Sequence, residues 1–189
     1  MAECQLTTLA GCELVIGAFP RFLYNAQGGS APGIAKANTP TEVQLTFSAR
    51  DTTIPPLSWR TARFLGLPLP PGLCVAIQPM ALSGLFDPCT GAMQLDFEAH
   101  FRFQTGLGSS MLYTAPDLLV TTTLTTEAIE SRRHRRQGRR LQGSDPGILV
   151  GVAQVNPCGE RWLDRFLGLP DEALAVLECQ LNLTESNHG

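Results

Sequence analysis

The sequence lacks the short motifs that mark most enzymes and metal-binding proteins. None of its three histidines, His100, His134 and His188, has another histidine, an aspartate or a cysteine at a spacing typical of metal ligands. The chain contains no GxSxG, P-loop, GxGxxG or HExxH motif. We therefore predict a protein that is not an enzyme, that binds no metal and that carries no cofactor.

CxxC pairs and long apolar runs are also missing, and we expect no leader segment. The six cysteines form no CxxC pair, and the first residues lack the basic and apolar regions of a secretory signal. We therefore predict that the cysteines are free thiols in a reducing compartment. This predicts a cytoplasmic location, and attachment to a membrane surface is the alternative. No apolar run reaches the roughly 20 residues that span a bilayer, so no transmembrane segment is expected.

Charged residues make up only 16% of the chain, and the basic ones are unevenly placed. Six of the 14 basic residues lie in the run RRHRRQGRR at Arg132–Arg140, which leaves 8 basic against 17 acidic residues elsewhere. The overall charge of −3 therefore conceals an acidic body that carries one basic loop, at residues 131–146.

This basic loop is one of two candidate sites. Neighbouring arginines repel each other, and they become favourable against an acidic protein or an anionic membrane surface. Nucleic-acid binding is not expected, because no aromatic residues alternate with the arginines and the rest of the chain is acidic. The simpler alternative is a solvated loop. The predicted partner-binding residues are Arg132, Arg133, Arg135, Arg136, Arg139 and Arg140.

Strict alternation of apolar and polar residues is the clearest structural signal. Over Met93–Gln104 it predicts a long strand with one dry face and one wet face, and residues 42–49 show the same pattern. One-sided strands are typical of antiparallel sheets. We predict one mainly β domain over residues 1–189, an antiparallel sandwich or barrel with short helical turns. Further strands are predicted at residues 73–78, 118–131, 147–155 and 174–183. For the last segment a helix is the alternative, because residues 170–173 place proline and two acids where a helix would begin.

The wet face of the long strand offers a weak case for catalysis. Asp96 and Glu98 share this face and are the kind of pair that does acid–base chemistry. The row continues with His100, Arg102 and Gln104, however, and a solvated outer sheet face explains it better.

The dry face is the second candidate site. An antiparallel barrel can enclose an apolar ligand, and phenylalanines dominate this face of the strand. We predict a binding module for a lipid or a pigment; docking through the arginine loop is the alternative function. A filled core is the simpler explanation of the same pattern. The predicted ligand-binding residues are Phe47, Leu95, Phe97, Phe101 and Phe103.

The hexapeptide RFLGLP occurs twice, at Arg63–Pro68 and at Arg165–Pro170. Each copy predicts a short helical turn that a glycine stops, Gly66 in the first copy and Gly168 in the second, before a proline and a strand. A duplicated unit and independent use of a good helix-stop sequence both remain open. In either case we expect the two copies to adopt the same geometry at related places on the sheet.

Two stretches carry a resemblance to other proteins. GLFDPCTGAMQLDFEAHFRF (Gly84–Phe103) and FLGLPDEALAVLECQL (Phe166–Leu181) resemble uncharacterised β-rich proteins of cyanobacteria. The resemblance implies a cyanobacterial origin and a soluble or membrane-peripheral location, and it implies no activity.

Overall fold

The computed structural model describes residues 1–107, 110–143 and 145–185, so Ser144 of the basic loop and the predicted surface residue His188 lie outside the described residues. The described part contains 15 strands and one helix, which confirms the predicted mainly β class. In chain order they are β1 (Ala2–Thr8), β2 (Cys12–Ile16), β3 (Phe22–Tyr24), β4 (Ser30–Thr39), β5 (Glu42–Phe47), β6 (Ala62–Phe64), β7 (Leu67–Pro68), β8 (Leu73–Phe86), β9 (Met93–Leu107), β10 (Ser110–Thr114), β11 (Leu118–Thr125), β12 (Ala128–Glu130), β13 (Arg135–Gln137), β14 (Gly147–Val155), α1 (Arg161–Leu167) and β15 (Asp171–Glu185).

Eight of the strands form a closed antiparallel ring. Hydrogen-bonded neighbours run from β1 through β4, β5, β8, β9, β11, β14 and β15, and β15 then pairs with β1. The fold is therefore a barrel, one of the two architectures that the alternating strands predict, and closure removes the free edges that an open sheet would expose.

The ring forks along one edge of β15. Thr8 at the end of β1 lies opposite Cys179, and Ile16 at the end of β2 lies opposite Ala173, so β1 and β2 follow each other along the same edge. From β2 the sheet continues through β3, β6 and β7. One half of the barrel is thus closed by β1, β4 and β5, and the other half is flanked by this extension. We call them the closed half and the open half.

The predicted strands are present and several are longer than predicted. β9 continues past Gln104 to Leu107, and β8 continues past Gln78 to Phe86. Proline stops a strand unless it lies at an edge or a bulge. The register of β8 shifts between Pro79 and Ala81, and this bulge lets the strand continue.

A small hairpin of β12 and β13 covers the outside of β14. Leu149 points into the barrel and Val150 points outward, yet Val150 is 0% exposed because β12 packs on that face. Because both faces of β14 are buried, residues 147–155 are almost all apolar. The hairpin, which we call the arginine flap (residues 128–140), carries most of the basic loop.

The two RFLGLP copies adopt different structures. In the first copy Phe64 lies opposite Leu67 in a hairpin of β6 and β7, and the two turn residues, Leu65 and Gly66, have φ values of 51° and 81°. Two central residues with positive φ form the tight turn that is typical of hairpins. The predicted helix is wrong here, because the segment that contains Phe64 pairs with β3.

The second copy confirms the predicted helix stop. Leu163 and Leu167 lie one turn apart on the buried face of α1, and Gly168 follows with φ 70° in the left-handed region. The amide of Leu169 donates to the carbonyl of Asp164 at 2.9 Å, which satisfies one of the last free carbonyls of the helix.

The cap of α1 makes a direct test of this geometry. We expect Gly168→Ala to lower the free energy of unfolding by about 1 kcal/mol, because a Cβ is strained at positive φ even where no neighbouring atom obstructs it. Urea unfolding measures the change. An unchanged midpoint and slope would show that the left-handed cap is absent.

Candidate functional site

The open half of the barrel contains an apolar cavity of about 590 Å³. Its walls come from β8, β9, β11, β14 and β15 on one side and from β2, β3, β6 and β7 on the other. Residues of β1 and β4 line it where it meets the closed half, and α1 lies at one end. None of the described residues that line it carries a charged side chain. The cavity exists because the fork in the sheet moves β2 and β3 away from the ring.

Three of the five predicted ligand-binding residues line this cavity: Phe97, Phe101 and Phe103. Phe47 and Leu95 lie elsewhere, in the core cluster that fills the closed half. Alternation identifies the inward face of β9 along its whole length, but it does not show which part of that face meets packed side chains. Leu95 lies near the start of the strand, at the filled end, and this explains the difference.

The RFLGLP copies supply part of the lining that the alternating strands do not predict. Phe64 and Leu67 of the first copy and Phe166 of the second line the same cavity, although one copy is a hairpin and the other a helix end. Aromatic contacts position the two phenylalanines. The ring of Phe22 packs against Phe64 at 4.7 Å between centroids, and the ring of Phe19 packs against Phe166 at 5.5 Å. The repetition of the hexapeptide was the one signal in the sequence that pointed to these residues.

The cavity reaches the surface beside the two copies. Leu65, Leu67 and Phe166 line it and are nevertheless 71%, 69% and 61% exposed. These side chains form a mouth at the end of the barrel where β8 and β15 begin and β9 and β14 end. An apolar molecule can therefore enter from this end.

Most of the polar side chains in the lining form hydrogen bonds within the protein. The hydroxyls of Thr8 and Thr122 donate to the carbonyls of Ala26 and Val152 at 2.7 and 2.9 Å. Tyr24 donates to the carbonyl of Pro55, and burial raises the pKa of its phenol well above the usual range. The wall therefore presents hydrocarbon to the cavity and few free hydrogen-bonding groups.

The outer face of β9 holds an ion-pair cluster. Arg102 donates to both carboxylate oxygens of Asp117 at 2.6 and 2.7 Å, and His100 Nδ1 lies 3.0 Å from the same carboxylate. The hydrogen bonds from Arg102, followed by that of His100, lower the pKa of Asp117 to about 2. Asp96 accepts a hydrogen bond from Thr123. The face is a partly solvated row of paired groups.

The described residues offer no metal centre. Within residues 1–107, 110–143 and 145–185, no group of three or more His, Cys, Asp and Glu side chains is placed to hold a metal ion. The six cysteines, all of which are described, are free thiols. Burial raises the pKa of Cys158, which disfavours the reactive thiolate at this turn. Within the same ranges, no helix has the length and apolar character needed to cross a membrane.

The arginines of the flap have carboxylate partners in their own chain. Arg132 and Arg133 both donate to Asp171, at 2.9 and 2.7 Å. Asp171 is nearly buried, and the hydrogen bond from Arg133 is the largest cause of its lowered pKa. These contacts hold the tip of the flap against the start of β15.

The carboxylate partners of the other flap arginines are more exposed than Asp171. Arg139 lies 3.8 Å from Glu178, Arg140 lies 2.8 Å from Glu127 and Arg135 lies 4.0 Å from Glu130. Arg136 donates to the carbonyl of Arg135 and is exposed. Five of the six predicted partner-binding arginines thus lie within 4.0 Å of a carboxylate of this chain, and their binding of an external partner stays a prediction.

Fold and site together define the class of protein: a forked antiparallel β-barrel with an apolar internal cavity that opens at one end. No protein-family model, no curated protein and no solved structure matches the chain. The resemblance to cyanobacterial proteins therefore stays a prediction, and function has to be argued from the site alone.

The Asp117 cluster predicts a pH dependence. In the folded protein the pKa of Asp117 lies below the ordinary aspartate value near 3.9. The ion pair of Asp117 with Arg102 therefore stabilises the fold above about pH 4 and loses its effect as the pH falls toward 2. We expect Asp117→Asn to cost about 1 kcal/mol at neutral pH, less than the full shift implies, because solvent screens the pair. Denaturant unfolding at several pH values measures the difference, which should shrink below pH 4. A difference that stays constant down to pH 2 would contradict this account.

The Asp171 contacts predict a stability difference confined to the flap. We expect Asp171→Asn to speed amide exchange of residues 128–137 by about tenfold, because it removes the charge that holds Arg132 and Arg133. Hydrogen–deuterium exchange with mass spectrometry makes the measurement. Glu130→Gln is the control: its pair with Arg135 is long and exposed, and exchange should not change. Equal effects of the two variants would show that Asp171 does not hold the flap.

Proposed function

We propose that the protein binds an apolar small molecule, a lipid or a pigment, in the cavity of the open half, without chemical conversion. The observation that carries this proposal is a cavity of about 590 Å³ that is lined almost entirely by apolar surface and is open at one end. Ligand pockets in proteins commonly have volumes of about 300 to 1,000 Å³. The packed core of the closed half bounds the inner end of the cavity.

Water is a poor occupant of this space. A buried water needs two to four polar partners, and the hydroxyls of Thr8, Tyr24 and Thr122 are directed to backbone carbonyls. A hydrocarbon ligand in contrast gains dispersion contacts with the walls and leaves water at the same time. The lining therefore favours an apolar occupant.

The lining also constrains where a polar end can lie. A charged group inside the cavity would lose its hydration and meet no charged side chain, at a cost of several kcal/mol. The enclosed part of the ligand must therefore be neutral. An acyl chain or an isoprenoid pigment satisfies this requirement if any polar end stays at the mouth near Leu65 and Phe166.

Two neighbouring residues of β11 provide a matched test. Val120 lines the cavity, and Leu119 points outward and is exposed. Delipidated protein is titrated with the neutral fluorophore N-phenyl-1-naphthylamine, and thermal melts confirm that each variant is folded. We expect saturable binding by the natural chain, a loss of affinity of about tenfold or more in Val120→Trp, which fills the cavity, and no change in Leu119→Trp.

Two results would count against the proposal. One is the absence of saturable binding by the delipidated natural chain. The other is equal binding by the two tryptophan variants, which would place the fluorophore outside the cavity.

A further inference from the structure

We propose that the mouth of the cavity docks on an anionic lipid bilayer, which is the source or the destination of the ligand. This inference rests on the proposed ligand-binding function, since it names the partner of the same site. It places membrane contact on the residues around the mouth of the cavity and not on the arginine flap.

The open end carries a cluster of exposed apolar side chains. Leu65, Leu67 and Phe166 border the mouth. Trp162 lies one helical turn before Phe166, is half exposed, and contacts Tyr113 of β10 at 5.8 Å between ring centroids. Exposed apolar clusters of this kind mark interaction surfaces. We call these residues the apolar rim: Leu65, Leu67, Met111, Leu112, Trp162 and Phe166.

The pairing of the strands places the rim at one end of the molecule. Met111 lies opposite Gly106 near the end of β9, and the amide of Gly106 donates to Gly72, just before β8 begins. The hairpin of β6 and β7 ends four residues before Gly72. Since α1 contacts β10, the helix, β10 and this hairpin all lie around the same opening.

Leu65 gives independent support, because neither packing nor backbone geometry explains it. Its φ of 51° suits glycine, asparagine or aspartate and is strained for leucine. The side chain is also 71% exposed, so it adds little to the core. A leucine that costs stability and is not buried fits a surface that contacts something apolar outside the chain.

The charges around the rim select an anionic bilayer. Arg161 and Arg165 lie on the exposed face of α1 with Trp162 and Phe166, and Arg63 lies in the hairpin. Among the described residues, no carboxylate lies within ion-pair distance of these three arginines. The positive charges near the mouth are therefore free, although the whole chain carries −3.

The acids at this end accept hydrogen bonds within the chain, and the charges of Glu160 and Asp164 offset two of the three free arginines, which leaves an excess of one positive charge beside the mouth. Asp164 accepts hydrogen bonds from the amides of Cys158 and Gly159, Glu160 accepts one from Tyr113, and Asp171 binds the flap arginines. Arginine beside tryptophan and leucine is the combination that enters the headgroup layer, since the apolar side chains insert and the cations meet lipid phosphates. A docked mouth would let an apolar ligand pass between bilayer and cavity without crossing water.

Flotation with lipid vesicles tests the inference. Delipidated protein is mixed with vesicles of phosphatidylcholine, alone or mixed with phosphatidylserine. We expect at least tenfold stronger partitioning onto the anionic vesicles. Leu65→Asn should weaken it several-fold while its melting temperature stays the same or rises, since asparagine suits the turn. Arg161→Gln with Arg165→Gln should abolish the preference for anionic lipid.

The controls separate the rim from other surfaces. Leu85→Asn alters an exposed leucine at the opposite end of the barrel, and Arg135→Gln with Arg136→Gln removes two of the six positive charges of the flap. Both should partition like the natural chain. If the flap variant lost vesicle binding while Leu65→Asn kept it, the rim proposal would be overturned in favour of docking through the flap. Equal partitioning onto neutral and anionic vesicles would also overturn it.

Fluorophore binding tests the proposed ligand function separately from vesicle docking. Val120→Trp, which fills the cavity, should lose the fluorophore and keep vesicle binding, because the rim is unchanged; loss of both would contradict docking by the rim. A natural chain that binds vesicles but no fluorophore would defeat the proposed ligand function and leave the docking intact.

Discussion

The shared edge of β15 is the constraint on which the rest of the structure depends. One stretch of this edge pairs with β1 and closes the ring, and the other pairs with β2 and starts the extension. Because both partners occupy the same edge, the barrel cannot be uniform along its axis. The closed half is filled by a core that includes Phe47 and Leu95, and the open half retains space between the ring and the extension.

The two faces of the barrel wall are stabilised by different forces. Inside, apolar side chains meet one another or the cavity, and hydroxyls such as those of Thr8, Tyr24 and Thr122 donate to backbone carbonyls. Outside, ion pairs dominate: Arg102 with Asp117 on β9, and Arg132 and Arg133 with Asp171 beneath the flap. Partly buried pairs of this kind fix where a loop lies more than they add to stability. The ion pairs hold the flap over β14, and the flap excludes water from the outer face of that strand.

The strands were predictable because their signals are local. Alternation along residues 93–104 identified the inward face of β9, and three phenylalanines on that face do line the cavity. The arginine run was equally visible, but its carboxylate partners were not, since Asp171 and Glu178 lie 38 and 39 residues from the arginines they meet, Arg133 and Arg139. Which inward residues meet a cavity and which meet a packed core also depends on the fork, and no short segment encodes that.

The sequence by itself determined the class of fold, the inward face of β9 and the helix stop at Gly168, because each depends on residues that are neighbours along the chain. Only the tertiary structure decided what the two RFLGLP copies became. The first found an antiparallel partner in β3, and the second buried Leu163 and Leu167 against the barrel. Strand pairing and burial involve distant residues and outweigh local propensity. The same six residues could therefore form a hairpin and a helix end at one opening.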